Sequence, residues 1–163
     1  MVKKIIITGG LGYIGTELCK IYSGVSWHHK IFVIDNRFIS ERVNQIRNWN
    51  MEFVHGDILD KDLVKKYFKD ADIVHHLAGV TDVPRTKSES TQEKDEKIKL
   101  VGEEGTQNIL DSISDKCKII FPSTHVVYEG IDKVKNDIKE NEEAKPLLSY
   151  SLSKAVNEKQ LKK

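Results

Sequence analysis

Short apolar runs alternate along this chain with stretches in which apolar residues recur every three or four positions. The runs Lys3 to Thr8, Lys30 to Asp35, Met51 to Val54, Asp72 to Leu77 and Lys116 to Pro122 are continuously apolar and rich in β-branched residues, which predicts strands buried on both faces. Between them the spacing predicts helices over Gly12 to about Tyr22, over Ser40 to Asn48, and from an Asp60 N-cap to Lys69. Ile98, Val101, Ile109, Leu110 and Ile113 fall mostly on one stripe and predict a single long helix from Thr91 to Ser114, largely exposed because of the charged run Glu93 to Lys97. A polar stretch from Glu129 to Leu148 predicts a surface loop, and a last helix opens near Tyr150 and runs to Lys163. Strands alternating with helices in this way predict an α/β fold, a doubly wound parallel sheet whose right-handed crossovers place helices on both faces.

Composition narrows the picture. With 163 residues, 39% of them hydrophobic, the chain suits one domain around one core, spanning residues 1–163. Lys plus Arg total 26 against 25 Asp plus Glu, a balance that gives no electrostatic basis for nucleic acid or an anionic membrane as the main partner. Cys19 and Cys117 lie far apart and outside any CxxC or Cys/His cluster, so two reduced thiols, no metal site and a cytoplasmic setting are expected. The apolar run after Lys3 and Lys4 ends at Thr8, too soon for an export signal or a membrane span. His75 and His76 suit the flanks of a buried strand better than metal ligation.

Candidate chemistry begins at Thr8-Gly9-Gly10-Leu11-Gly12-Tyr13-Ile14-Gly15, where a strand feeds a glycine-rich turn that opens a helix. Such a turn lets backbone N–H groups and the positive end of the helix dipole approach a pyrophosphate. Gly10, Gly12 and Gly15 fit GxGxxG, and Gly9, Gly12 and Gly15 fit GxxGxxG, so the glycines alone leave the register open. Asp35 closes the second apolar run, where a carboxylate accepts from the adenosine ribose hydroxyls, with Asn36 beside it. That carboxylate repels a 2′-phosphate and favours NAD over NADP, a repulsion that Arg37 partly offsets. Asp57 and Ile58, after the third strand, suit either the adenine flank, with Asp57 accepting from the amino group, or local turn chemistry.

With these residues in place, the sequence resembles the extended short-chain dehydrogenase/reductases, in particular the NAD-dependent nucleotide-sugar epimerases and dehydratases. TGGLGYIG is similar to that family's TGxxGxxG, which sets the register on Gly9, Gly12 and Gly15 and brings Tyr13 and Ile14 into the cofactor site. His76-Leu77-Ala78-Gly79 resembles its HLAA or NAG segment beside the cofactor, Phe121 to Tyr128 its SSxxVYG segment, and Tyr150-Ser151-Leu152-Ser153-Lys154 its YxxxK pair. The resemblance implies that Tyr150 exchanges a proton with a substrate hydroxyl, that Lys154 lowers the phenol's pKa and touches the nicotinamide ribose, and that Thr124 hydrogen-bonds the same substrate oxygen. It further implies a nucleotide-sugar substrate, NAD as cofactor, and a homodimer through the 91–114 and 150–163 helices. The activity it points to is epimerisation; a dehydratase or reductase of the same family, or a non-catalytic NAD-binding fragment, are the alternatives. The chain departs from the pattern at Gly102, where the family's VNxxGT usually has asparagine, and at His125 and Val126, where 4,6-dehydratases carry Asp-Glu. Family members are also about twice as long, so a C-terminal substrate-binding part is expected to be missing here.

Overall fold

The computed structural model describes residues 1–80, 82–84, 86–132 and 136–162. The chain packs as two compact units, Met1–Gly79 with Gly105–Pro122, and Val80–Glu104 with Ser123–Lys163. Its strands are β1 (Lys4–Thr8), β2 (Lys30–Asp35), β3 (Glu52–His55), β4 (Ile73–His76) and β5 (Lys118–Ile120). Its α-helices are α1 (Tyr13–Ser23), α2 (Ser40–Asn48), α3 (Lys61–Phe68), α4 (Gln92–Lys99), α5 (Gly105–Leu110) and α6 (Ser149–Leu161).

The first unit is a parallel five-stranded sheet in the order β3-β2-β1-β4-β5. The chain steps outward from β1 to β2 and β3, then returns to β4 on the other side of β1, so strand order reverses between β1 and β4. Register aligns Thr8 with Ile34 on one side and with His76 on the other, which brings the carboxyl ends of three strands to one level at that reversal. Open α/β sheets bind ligands at such a point. Period-two alternation divides the central strands between two cores. Ile5, Ile7, Ile31 and Val33 cluster with Cys19 of α1 and with Val43 and Ile46 of α2. Ile6 and Phe32 face the opposite way, where the Phe32 ring meets Tyr67 of α3 edge-on at 5.4 Å. This is the doubly wound, Rossmann-like arrangement, and burying each of these aliphatic side chains contributes roughly 1.5–3 kcal/mol.

Continuous burial holds for the central strands and fails at the edges. β5 is shorter than the apolar run from Lys116 to Pro122 suggested, and its Ile120 is 38% exposed, because an edge strand is covered on fewer sides. The Asp60 N-cap is present, with its carboxylate accepting from the N–H groups of Asp62 (3.1 Å) and Leu63 (3.0 Å).

The long exposed helix expected over residues 91–114 is corrected in two ways. It is interrupted by a π turn at Leu100–Glu104, and only its first part is exposed, since Gly105, Thr106, Asn108 and Ile109 of α5 are buried. The charged run describes α4 alone, and the wider turn breaks the apolar stripe because each extra residue rotates the downstream helix by about 100°. Gly105 lies against Ile58, whose Cδ1 would sit 2.4 Å from a Cβ at that glycine, and Asn108 Nδ2 donates to the Ile58 carbonyl at 3.1 Å.

In the second unit α6 packs against the π turn. Such a turn leaves carbonyls without their usual helical partners, and two amides of α6 take them up: Asn157 Nδ2 donates to Gly102 O (2.9 Å) and Gln160 Nε2 to Glu103 O (3.2 Å). Glycine at position 102 admits this packing, because a Cβ there would lie 2.1 Å from Ser153 Oγ.

Candidate functional site

The glycine loop continues β1 in the first unit. Gly9 has φ +64°, and a Cβ on it would meet the backbone of the segment after β4, at 2.7 Å from Ala78 N and 2.8 Å from Leu77 C. A Cβ on Gly15 would lie 2.5 Å from Gly9 O, so the helix start also closes directly on the loop. Gly12 donates to Gly9 O at 3.0 Å and caps α1 without a side-chain hydrogen bond of its own. The amides of the first turn, at Tyr13, Ile14 and Gly15, therefore face outward beside a bare cradle of glycines, which fits a pyrophosphate. Tyr13 (85% exposed) and Ile14 (61%) border it.

The backbone of Leu11 is held on both sides: its N–H donates to Asp35 Oδ2 at 2.9 Å, and its carbonyl accepts from Arg42 of α2. Asp35 thus shapes the loop as well as ending β2. Its carboxylate, 3% exposed, also accepts from the N–H of Arg37 (3.0 Å) and from the Arg37 guanidinium (3.2 and 3.3 Å). Asp57 performs the turn chemistry: one oxygen accepts from Leu59 N and the other from Asn36 Nδ2, each at 2.9 Å. Ile58 is a core residue, 4% exposed.

A buried hydrogen-bond chain that the sequence did not disclose links β1, β4 and α5. Thr8 Oγ1 accepts from the N–H groups of Leu77 (3.1 Å) and Ala78 (3.0 Å) and lies 3.0 Å from His76 Nδ1; His76 Nε2 lies 2.9 Å from Thr106 Oγ1. A hydroxyl accepts twice and donates once. With both lone pairs engaged, Thr8 donates to Nδ1, so the imidazole is neutral, protonated at Nε2, and donates to Thr106. His76 thus has a fixed tautomer, and Thr8 holds the Leu77–Ala78 backbone against Gly9, while Gly79 beyond it is exposed. Neighbouring His75 is turned to Tyr22 OH (2.8 Å), and burial, with Lys118 nearby, lowers its pKa. Among the described residues no group of three or more His, Cys, Asp or Glu is placed to hold a metal ion, and no helix is long and apolar enough to cross a membrane.

The remaining expected residues belong to the second unit. Tyr150 and Lys154 share a face of α6, with Lys154 Nζ 5.8 Å from the centroid of the Tyr150 ring. Burial raises the Tyr150 phenol above its ordinary value and pushes the Lys154 ammonium down to about 8. This differs from the lowered phenol that the YxxxK spacing suggested: the ammonium lies over the ring face, and loss of water outweighs its attraction for a phenolate. Thr124 lies beyond the end of β5 as the N-cap of a short 3₁₀ turn, His125–Tyr128, with its hydroxyl accepting from Val126 N at 3.4 Å.

Glu129, within the stretch read as a surface loop, is a positioning residue that the sequence pattern missed. One carboxylate oxygen accepts from Leu147 N (2.8 Å), Leu148 N (2.9 Å) and the Ser151 hydroxyl, fastening the first turn of α6 on which Tyr150 sits. Burial pushes its pKa up, but the hydrogen bonds from Ser151, Leu147 and Leu148 together hold the carboxyl below its ordinary value. Its contribution is therefore complete above the unfolded-state value of about 4.3 and disappears as pH falls through the lower folded value. Glu129→Gln is expected to cost about 1 kcal/mol at pH 7, the figure for a partly exposed charge-assisted bond. Urea unfolding should show that difference vanishing in acid; a gap that persists at pH 2 would contradict the assignment.

Comparison with known proteins places this arrangement. A sequence profile of the 3-beta hydroxysteroid dehydrogenase/isomerase family matches residues 6–163, and the chain belongs to this family of extended short-chain dehydrogenase/reductases. It is 31% identical to a dTDP-D-glucose 4,6-dehydratase of Dictyostelium discoideum, over 94% of this chain and 38% of the relative. It is 34% identical to a CDP-paratose 2-epimerase of Salmonella typhi, over 81% of this chain and 40% of the relative. Among solved structures, a UDP-glucuronic acid 4-epimerase from Bacillus cereus, in complex with NAD and a fluorinated UDP-sugar, superimposes with a TM-score of 0.81 at 26% identity, covering 98% of this chain and 51% of that one. The chain thus spans about half the length of the relatives it matches, or less.

Proposed function

We propose that this chain is the NAD-binding, catalytic part of a nucleotide-sugar epimerase. The observation that carries the reading is the YxxxK pair brought together on α6 in a chain that also has an uncapped glycine cradle hydrogen-bonded through Leu11 to Asp35. Gly9, Gly12 and Gly15 with the amides of Tyr13 and Ile14 would hold the pyrophosphate, Asp35 the adenosine ribose, Asn36, Asp57 and Ile58 the adenine side, Leu77, Ala78 and Gly79 the cofactor's flank, and Tyr150 and Lys154 the nicotinamide ribose. Bound NAD supplies a reversible hydride acceptor. Tyr150 takes the proton from the substrate hydroxyl and returns it, Lys154 provides the positive charge that steadies the phenolate, and Thr124 donates a hydrogen bond to the same oxygen.

The Dictyostelium relative favours dehydration as the second reading. Against it, His125 and Val126 occupy the positions where an acid would help expel a hydroxyl.

NADH titration followed by fluorescence should show binding that weakens at least about tenfold in Asp35→Ala, the loss of one charged hydrogen-bonding partner. Incubation of UDP-, GDP- and dTDP-sugars with the chain, alone and fused to the second half of an epimerase relative, should give epimer without net change in NADH. Tyr150→Phe should reduce that turnover about 100-fold or more, the scale of a general base. A dehydrated keto-sugar would establish the second reading, and equal turnover by Tyr150→Phe would refute the assigned proton carrier. A homodimer through the 91–114 and 150–163 helices belongs to the same proposal. It is supported by Leu100 and Leu152, each more than 40% exposed, and would appear as twice the monomer mass in light scattering.

A further inference from the structure

Position 102, where the family resemblance has asparagine, is glycine in this chain, and an asparagine faces it from α6 instead. Asn157, 2% exposed, donates through Nδ2 to Gly102 O and to Gln160 Oε1, each at 2.9 Å, while Gln160 Nε2 donates to Glu103 O at 3.2 Å. Both hydrogens of the Asn157 amide are thereby engaged where water does not compete for them. Tyr150, Ser153, Lys154 and Asn157 stand at i, i+3, i+4 and i+7 and so share one side of α6. Ser153 and Asn157 are the members of this stripe that meet Gly102: a Cβ there would lie 2.1 Å from Ser153 Oγ and 3.9 Å from Asn157 Oδ1. Glu129 fastens the first turn of the helix, and the Asn157 bond fixes it one turn beyond Lys154, so the Tyr150 and Lys154 pair stands between two anchors. A lysine ammonium rides on a flexible four-carbon stem, and its reach is set by where its turn of helix is held. Glycine at 102 offers no side chain to stop α6 from rotating, which leaves that task to the amide of Asn157.

We propose that Asn157 is a positioning residue for Lys154: by gripping the π turn at Gly102 it sets the rotation of α6, and with it the approach of the ammonium to the nicotinamide ribose. The inference rests on the cofactor reading above and deepens it. Asn157 itself touches neither cofactor nor substrate; it acts through Lys154, and its loss lets the helix turn over the bare glycine and carries the ammonium away from its target.

The test is a calorimetric titration of the whole chain with NADH and with ADP, which carries the adenosine and two phosphates but no nicotinamide ribose. The proteins compared are wild type, Asn157→Ala, Lys154→Ala and the double variant, with circular dichroism as the check on folding. Asn157→Asp keeps the side chain's volume while removing both donated hydrogens, and it repeats the test should the truncation fail to fold. Asn157→Ala is expected to bind NADH at least about fivefold more weakly and ADP within about twofold of wild type. Lys154→Ala should weaken NADH binding at least as much, and the double variant should be no weaker than Lys154→Ala by more than about twofold, because the two losses are one. Equal weakening of NADH and ADP by Asn157→Ala would show a general loosening and overturn the role, as would NADH binding left unchanged, or losses that multiply in the double variant. Lys154→Ala that binds NADH as wild type does overturns it too, together with the ribose contact, and leaves the glycine loop standing. Failure of wild type to bind NADH overturns the cofactor reading itself, and Asn157 with it.

Discussion

Replacing Gly9 with alanine is expected to destabilise the protein by about 3 kcal/mol and to abolish NADH binding. Two costs add. An L side chain in the left-handed region costs roughly 1–2 kcal/mol, and an overpacked methyl a further 1–3 kcal/mol. Here the methyl would press on Ala78 N, Leu77 C and Ala78 Cα at 2.7–2.9 Å, all backbone atoms that cannot rotate aside. Relief requires moving the loop from β4 or opening φ away from +64°, and either change spoils the cradle. Gly24→Ala is the control: its φ is −66° and its nearest atom lies 3.8 Å away, so its stability should stay within about 0.5 kcal/mol of wild type. Urea unfolding of both variants decides the matter, and a Gly9→Ala protein as stable as Gly24→Ala would show that the loop is not held as described.

The second large effect is expected at His76. His76→Phe keeps a ring in the same space but removes the acceptor from Thr8 and the donor to Thr106, both buried, for a loss of roughly 2–4 kcal/mol. Thr8→Val removes more, because it leaves the Leu77 and Ala78 N–H groups without their oxygen. The three groups form one chain with a fixed proton direction, so the two substitutions should not add: the double variant is expected to fall short of the sum by about 1–3 kcal/mol. Additive losses in the unfolding free energies would mean that the hydrogen bonds act separately.

Much of this architecture is visible in local pattern. Three-residue apolar runs such as Ile5 to Ile7 mark the central strands, Asp60 announces its helix, and the glycine spacing with Asp35 marks the loop and its carboxylate. What escaped depends on partners remote in sequence. The carboxylate expected to be open for ribose is engaged by Leu11 and Arg37, the imidazole of His76 is fixed by Thr8 and Thr106, and Glu129 acts on a helix that starts at Ser149. No periodicity encodes such pairings. The π turn was missed for a related reason: its carbonyls are satisfied by Asn157 and Gln160, and the glycine that permits this read as a departure from a motif.

The backbone of Leu11, held on both sides, bears on how fast a ligand can be captured. Because Asp35 grips the N–H of Leu11 and Arg42 its carbonyl, each of the two peptide planes that meet at this residue is pinned by one of these contacts. A dinucleotide bound at this loop, as proposed, would meet a backbone already set, and the motion required of the site would be the swing of the exposed Arg37 side chain, which takes picoseconds to nanoseconds. Encounter, with no slow rearrangement behind it, then governs the on-rate, and differences in affinity among variants of Arg37 are carried by residence time.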